Sequence, residues 1–294
     1  MTKRSSDSEQ HYRDRVARVV AAIVSDPTAA HSLDELAAIA HFSPFHFHRI
    51  YRGITGETVA ATVRRLRLAR AAQLLAAGGE SVTQVAMSVG YDSPQAFSRA
   101  FREFAGIAPR AFQQQRGFAG LRLATLPRAA GVKAAAPELA VELIERAPQQ
   151  VQALVHRGPA STIPHTWWRL MQIAGNWPVA GCLGVAGGDG DDGAESPDHG
   201  FTYHAAVVLK GDEPQPHTSE LAPMELAGGR CAQHTLTGPY TQINAAISAL
   251  YAVWLPQSGF EPDDRPVIEV YHSPFDTAPQ DLRTDLLIPI RDLG

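Results

Sequence analysis

"SLDELAAIAHFSPFHFHRIYRGITG", residues Ser32–Gly56, returns as "SVTQVAMSVGYDSPQAFSRAFREFAG", residues Ser81–Gly106. Ser32, Leu33, Leu36, Ala37 and Phe42 match Ser81, Val82, Val85, Ala86 and Tyr91 at an offset of 49. Ser43, Pro44, Phe47, Arg49, Tyr51 and Gly56 then match Ser93, Pro94, Phe97, Arg99, Phe101 and Gly106 at an offset of 50, so one extra turn residue separates the copies. Each copy reads as helix, tight turn, helix. The first helices open with Ser32…Glu35 and Ser81…Gln84, capping boxes in which side chain and backbone satisfy each other's free donors. The second helices open with Ser43-Pro44 and Ser93-Pro94, an N-cap followed by proline at the first helical position. Gly90 supplies a turn residue that tolerates positive φ, and His41 stands in its place in the first copy, so that turn must be managed differently.

Sorting the second helices by face separates two roles. Phe47, Ile50, Tyr51 and Ile54, and later Phe97, Ala100, Phe101 and Phe104, form apolar stripes expected to face a core. The opposite faces carry Phe45, His48, Arg49 and Arg52, then Gln95, Ser98, Arg99 and Arg102. Arginine suits guanine edges, glutamine adenine, and aromatic or hydroxyl groups the thymine methyl and its neighbours. A single polar face would read as solvated surface, but recurrence at a fixed offset favours a reading surface. The histidines do not suggest a metal. His46 and His48 are two positions apart, about 200° around a helix, and cannot share one ion.

Between the copies, Thr58–Ala77 is expected to be one helix closed by Gly78-Gly79 and about 30 Å long, close to the 34 Å turn of B-DNA. Arg64, Arg65, Arg67 and Arg70 on it are either phosphate contacts or ordinary surface charge. Tyr12–Ser25, with Val16, Val19, Val20 and Ile23 at helical spacing, is expected to pack on the first unit.

In this region the chain resembles the AraC family of bacterial transcription regulators, most specifically over "GYDSPQAFSRAFREFAGIAP", Gly90–Pro109. The resemblance covers residues 11–116 and implies that both helix-turn-helix units bind double-stranded DNA, with RNA polymerase as a further partner. It implicates Phe45, His48 and Arg49 in one groove and Gln95, Ser98 and Arg99 in the next, with Ser43 and His46 as phosphate contacts. Pro94 departs from members that carry a donor there.

Composition agrees with a soluble, two-domain chain. Of 294 residues 45% are hydrophobic and 19% charged, and the net charge is −4. Residues 1–116 carry +5 and residues 117–294 carry −9, an asymmetry that directs only the first part toward a polyanion. No apolar run is long enough to span a bilayer, MTKRSSDSEQ lacks the apolar core of a signal peptide, and the two cysteines, Cys182 and Cys231, suit a reducing compartment. The expected location is the cytoplasm, with no membrane partner.

The second half reads differently. Residues 1–10 are expected to be disordered and 117–138 to be a linker, leaving 139–294 as an α+β domain. "VQALVHRGPAS" from Val151 and "CAQHTLTGPYT" from Cys231 are strands ending in Gly-Pro, each followed by a tryptophan-bearing helical stretch and further strands. The fold class is therefore multi-domain: an all-α head with two helix-turn-helix units on a long helix, then an antiparallel sheet with helices and a pseudo-twofold repeat. "LTGPY", "WLPQSGFEPDDRPVIEVYHSP" and "PQDLRTDLLIPI", within Leu236–Ile290, resemble the GyrI-like small-molecule-binding domain; Gly158-Pro159 lacks the aromatic that Tyr240 supplies in the second half. That resemblance implies a lipophilic or cationic effector held between two halves, with Glu269 as the acid.

Strand alternation in "VIEVY" puts Val267, Glu269 and Tyr271 on one face. A carboxylate among such neighbours is costly unless paired or near water, so Glu269 is either a solvent-facing strand residue or a ligand-recognising acid. Trp167, Trp168, Tyr203, Trp254 and Tyr271 are candidate aromatic walls. Two other readings are a hydrolase with Glu269 as general base on a strained-ring compound, and a drug-sequestering binder. "GGDGDDG", Gly187–Gly193, fails as a dinucleotide loop because its aspartates would face the pyrophosphate, and fails as a calcium loop for want of the terminal glutamate. No nucleophile–base motif, metal spacing or cofactor motif is present, so no catalytic residue, metal or cofactor is assigned.

Overall fold

The computed structural model describes residues 3–114, 139–157, 162–187, 202–210, 219–274 and 277–293. They form two compact units. One contains Tyr12–His41 and the helical chain from Ile50; the other contains the residues up to His11, the segment Phe42–Arg49 and the C-terminal part. The expected linker 117–138 and most of the Gly/Asp-rich stretch lie outside the described residues.

The helices are α1 (Lys3–Ser25), α2 (Leu33–Ala40), α3 (Pro44–Thr55), α4 (Val59–Ala77), α5 (Val82–Ser88), α6 (Pro94–Ala105) and α7 (Pro109–Gln114). α1 corrects one expectation: residues 3–10 are helical rather than disordered. Ser8, one turn before Tyr12 on the same face, is buried with it. Once Tyr12, Val16, Val19 and Ile23 anchor the helix, adding turns at its start costs far less than nucleating new ones.

Both capping boxes form. Ser32 Oγ accepts from Glu35 N at 3.2 Å while Ser32 N donates to Glu35 Oε2 at 3.2 Å; Ser81 and Gln84 repeat this at 3.2 and 2.8 Å. α6 is capped as expected, Ser93 Oγ accepting from Ala96 N at 3.2 Å. α3 differs: the Ser43 carbonyl accepts from His46 N and Phe47 N, but Ser43 Oγ has no partner among the described residues. The two turns use different residues in one conformation. Gly90 has φ 80°, and His41, at φ 54°, is the single non-glycine with positive φ among the described residues. An arginine braces each turn. Arg15 donates to the carbonyls of Ala40 (2.6 Å) and His41, and Arg67 donates to Pro27 O at 2.7 Å and Gly90 O at 3.2 Å.

α4 runs 19 residues, about 28 Å, from a Thr58 cap to Gly78. Leu68, Ala71, Ala72 and Leu75 on it pack with Val85, Ala86, Phe97, Phe101 and Phe112 into one core, with Phe101 edge-on to Phe112 at 5.3 Å. Of its arginines, Arg67 is committed to the turn, Arg65 pairs with Glu57 at 2.7 Å and Arg64 with Glu103 at 2.5 Å.

The C-terminal strands are β1 (Glu142–Arg146), β2 (Gln149–His156), β3 (Val179–Gly187), β4 (Thr202–Leu209), β5 (Ala222–Leu226), β6 (Gly229–Thr237), β7 (Phe260–Pro262), β8 (Val267–Tyr271) and β9 (Arg283–Asp292). Helix α8 (Ile163–Ala174) follows β2. After β6 come α9 (Ile243–Ala249), a π-helical turn over Leu250–Trp254, and α10 (Leu255–Ser258). All described ladders are antiparallel, in the order β1-β6-β9-β8-β3-β4-β2-β5, with β7 added to β9. Exchanging β1 with β5, β2 with β6, β4 with β9 and β3 with β8 returns the same order reversed, which is the expected pseudo-twofold. Its seam is the β3–β8 pair. One sheet face closes over Val151, Leu183, Val185, Ala206, Cys231, Ile268 and Leu287. The other packs Ala186, Tyr203, Ala205 and Val207 under Leu170 and Trp167 of α8.

Candidate functional site

Glu269 lies at the middle of the seam, opposite Gly184 in the β3–β8 register. It is 6% exposed on the helix-covered face. Tyr271 Oη donates to Glu269 Oε2, Tyr203 Oη reaches the same oxygen at 3.3 Å, and the two phenols are 3.1 Å apart. Trp167 Nε1 donates to Tyr203 Oη at 3.0 Å, which leaves that hydroxyl's own proton for the carboxylate or for Tyr271. Trp167 and Tyr240 each stand edge-on to Tyr271, at 5.2 and 5.1 Å. Gly184 makes the cluster possible: a Cβ there would lie 2.4 Å from Tyr203 Oη and 2.7 Å from Glu269 Oε2.

The charge balance is one-sided. Oε2 carries both phenol contacts, whereas Oε1 has no hydrogen bond among the described residues. Burial pushes the Glu269 carboxyl above its ordinary range, opposed by the Tyr271 hydrogen bond, the positive charge of Arg49 and the Tyr203 hydrogen bond. Burial also raises both phenols, reinforced by the Glu269 charge. The arrangement is an acid in an aromatic cage, with one oxygen held and one open.

Of the residues named as candidate walls, Trp167, Tyr203 and Tyr271 are brought together beside Glu269. Trp168 is 64% exposed, because adjacent helical residues are 100° apart and only one of the tryptophan pair can face the sheet. Trp254, on the π turn, makes no ring or hydrogen-bond contact with the cluster. Gly184 was missed from sequence because its role depends on register across two strands. Tyr240, marked in the sequence as the aromatic after Gly-Pro but not as a wall, joins the cluster through Tyr271.

On the second helix-turn-helix unit, Gln95 and Arg99 are exposed and Ser98 half-buried, while Phe97, Ala100 and Phe101 are buried. In α3, Phe47, Ile50 and Tyr51 are buried, His48 and Arg49 half-exposed, and Arg52 exposed. Phe45 is in α3. His46, expected as a phosphate contact, is 1% exposed, with Nδ1 2.5 Å from Tyr251 Oη and Nε2 3.1 Å from Arg265 O. Among the described residues no cluster of three or more His, Cys, Asp or Glu side chains could hold a metal, and no helix is long and apolar enough to cross a membrane.

Duplicated helix-turn-helix units followed by a pseudo-twofold sheet around a buried carboxyl fit one class: AraC-type DNA-binding transcription regulators with a GyrI-like ligand-binding domain. The family model described as the GyrI-like small molecule binding domain matches residues 139–291, just over half of the chain, and the chain belongs to that family. A helix-turn-helix domain model matches residues 36–115. The right origin-binding protein of Escherichia coli K12 is 23% identical over 88% of this chain and 92% of its own length. The MmsAB operon regulatory protein of Pseudomonas aeruginosa is 40% identical over 28% of this chain, which spans only 27% of that relative. Among solved structures, the EcmrR C-terminal domain aligns with 53% of this chain and 100% of its own, at 12% identity and a TM-score of 0.42.

Proposed function

We propose that this regulator takes a lipophilic cation as its effector, that Glu269 is the cation's counter-ion, and that Gln95, Ser98 and Arg99 of α6, with Phe45, His48 and Arg49 of α3, read base edges. On bound DNA, Ser43 and His46 become the phosphate-facing positions of the first unit, RNA polymerase is the further partner, and the cytoplasm is the place of action. One observation carries the effector reading: a buried carboxyl walled by Trp167, Tyr203, Tyr240 and Tyr271, with one oxygen unpaired and no basic side chain bonded to it. Isolated buried charge is expensive, and an arriving cation offsets that cost while aromatic faces add cation–π attraction of about 0.5–2 kcal/mol.

Titration with benzyltriethylammonium and with its uncharged carbon isostere tests the reading. The cation is expected to bind at least tenfold tighter to the wild type, and Glu269→Gln is expected to erase that preference while neutral binding persists. Equal binding of both compounds to the wild type contradicts it, as does conversion of the bound compound to product over many turnovers.

A further inference from the structure

The segment Phe42–Arg49 packs in the same unit as the sheet, and two of its polar side chains, His46 and Arg49, are engaged there. A carbonyl can only accept, so the contact of His46 Nε2 with Arg265 O puts the ring proton on Nε2. Nδ1 then accepts from the Tyr251 hydroxyl, and the two rings stack at 5.7 Å and 25°. Both nitrogens of a buried, neutral imidazole are thereby satisfied. One helical turn on, the Arg49 guanidinium lies 5.6 Å from the centroid of the same Tyr251 ring. Its positive charge also reaches the Glu269 carboxyl and favours the ionised form. Tyr251 stands in the π-helical turn Leu250–Trp254, an irregularity often found at functional positions. A phosphate-facing histidine needs exposure, and a base-reading arginine needs an unoccupied guanidinium. In this structure both groups are held by the sheet-bearing unit.

We propose that Phe42–Arg49 is an intramolecular latch: His46 and Arg49 dock on Tyr251 and Arg265 in the resting protein, and a cation at Glu269 releases them for DNA. The inference rests on the DNA-reading and cation-binding roles proposed above. The physical link is charge. Arg49 supplies part of the positive field at Glu269, so a bound cation both replaces that field and repels the guanidinium, raising the energy of the latched state alone. Linkage is reciprocal, so DNA that captures Arg49 strengthens cation binding by the same factor. The latch also lowers apparent DNA affinity by the fraction of molecules that remain closed.

Tyr251→Phe tests this directly. It keeps the ring and its packing but leaves His46 Nδ1 without its buried donor, a penalty that vanishes once His46 meets water. DNA affinity is measured by fluorescence anisotropy on a duplex that the full-length protein selects from a random pool. Tyr251→Phe is expected to bind about 5–10-fold tighter than wild type without cation, and Arg99→Ala about tenfold weaker. Tyr251→Phe binding no tighter than wild type, with Arg99→Ala impaired, overturns the latch and leaves the DNA-reading role standing. An unimpaired Arg99→Ala places the fault in that role instead. If Tyr251→Phe does not fold, amide hydrogen exchange of Phe42–Arg49 in the wild type decides: saturating benzyltriethylammonium is expected to speed it at least threefold, and unchanged exchange overturns the latch.

Discussion

At the scale of single residues, the chemistry concentrates where burial and polarity conflict. Glu269 is buried with phenols on one oxygen, and burial holds its carboxyl toward the neutral form. A cation binds the ionised form, so binding releases a proton. Affinity for benzyltriethylammonium is therefore expected to rise with pH through the raised pKa of the free pocket and to level off above it, while the uncharged isostere shows no such slope. Calorimetry in buffers of different ionisation enthalpy would count the released proton. His46 carries the second conflict. Burial pushes its pKa down to about 4, with Arg49 adding to that; the backbone contacts of Asp263 and Arg265 and the charge of Asp263 oppose it. Beside it Tyr251 is pushed up to about 12 by burial, against the charge and hydrogen bond of Arg49. A base whose pKa is depressed in the held state favours that state above its free value of 6.5. As pH falls from 6.5 toward 4, a released ring takes a proton that the held ring refuses, so the hold weakens. NMR titration of the His46 ring is expected to give a midpoint near 4 in the free protein, moving above 6.5 on DNA, where phosphates favour imidazolium; a midpoint near 6.5 in the free protein contradicts the latch. Arg99, exposed on α6, gives the plainest number: Arg99→Ala is expected to cost about 1–3 kcal/mol on cognate DNA, and an unchanged dissociation constant contradicts its base contact.

At the scale of elements, local rules account for the helical head more fully than for the sheet. Ser32, Thr58, Ser81 and Ser93 all cap helices, and Gly78 closes α4, because capping is decided within four residues of chain. Ser43 resembles Ser93 in sequence, yet its hydroxyl makes no cap among the described residues, a difference that the local sequence does not foretell. His46 shows the same limit: its partners are 205 and 219 residues distant. Strand alternation found the face of Glu269, but Gly184 became visible only once the β3–β8 register was known. Paired turns give an element-scale test. His41 and Gly90 both have positive φ, but only glycine adopts it without strain. Gly90→Ala is expected to destabilise the protein by about 1–2 kcal/mol, since its Cβ would also sit 3.2 Å from the Arg67 guanidinium. His41→Gly is expected to be neutral or slightly stabilising. Urea denaturation measures both, and a Gly90→Ala variant as stable as wild type contradicts the assignment.

At the scale of the whole molecule, the division of charge follows the division of labour. The helical head carries the excess of arginine, and the acidic C-terminal half carries the caged carboxylate. Binding that responds to an effector requires the ligand to prefer one state over another, and a shared dependence on Arg49 gives such a preference a physical basis. DNA recognition as proposed requires two duplicated helices to read successive major grooves along one side of a duplex. Methylation-interference footprinting of the selected duplex, with wild type and Arg99→Ala side by side, addresses this most directly. The wild type is expected to give two patches of essential guanines about 10 base pairs apart, with Arg99→Ala erasing one and sparing the other. A single patch, or two patches unaffected by the substitution, would contradict it.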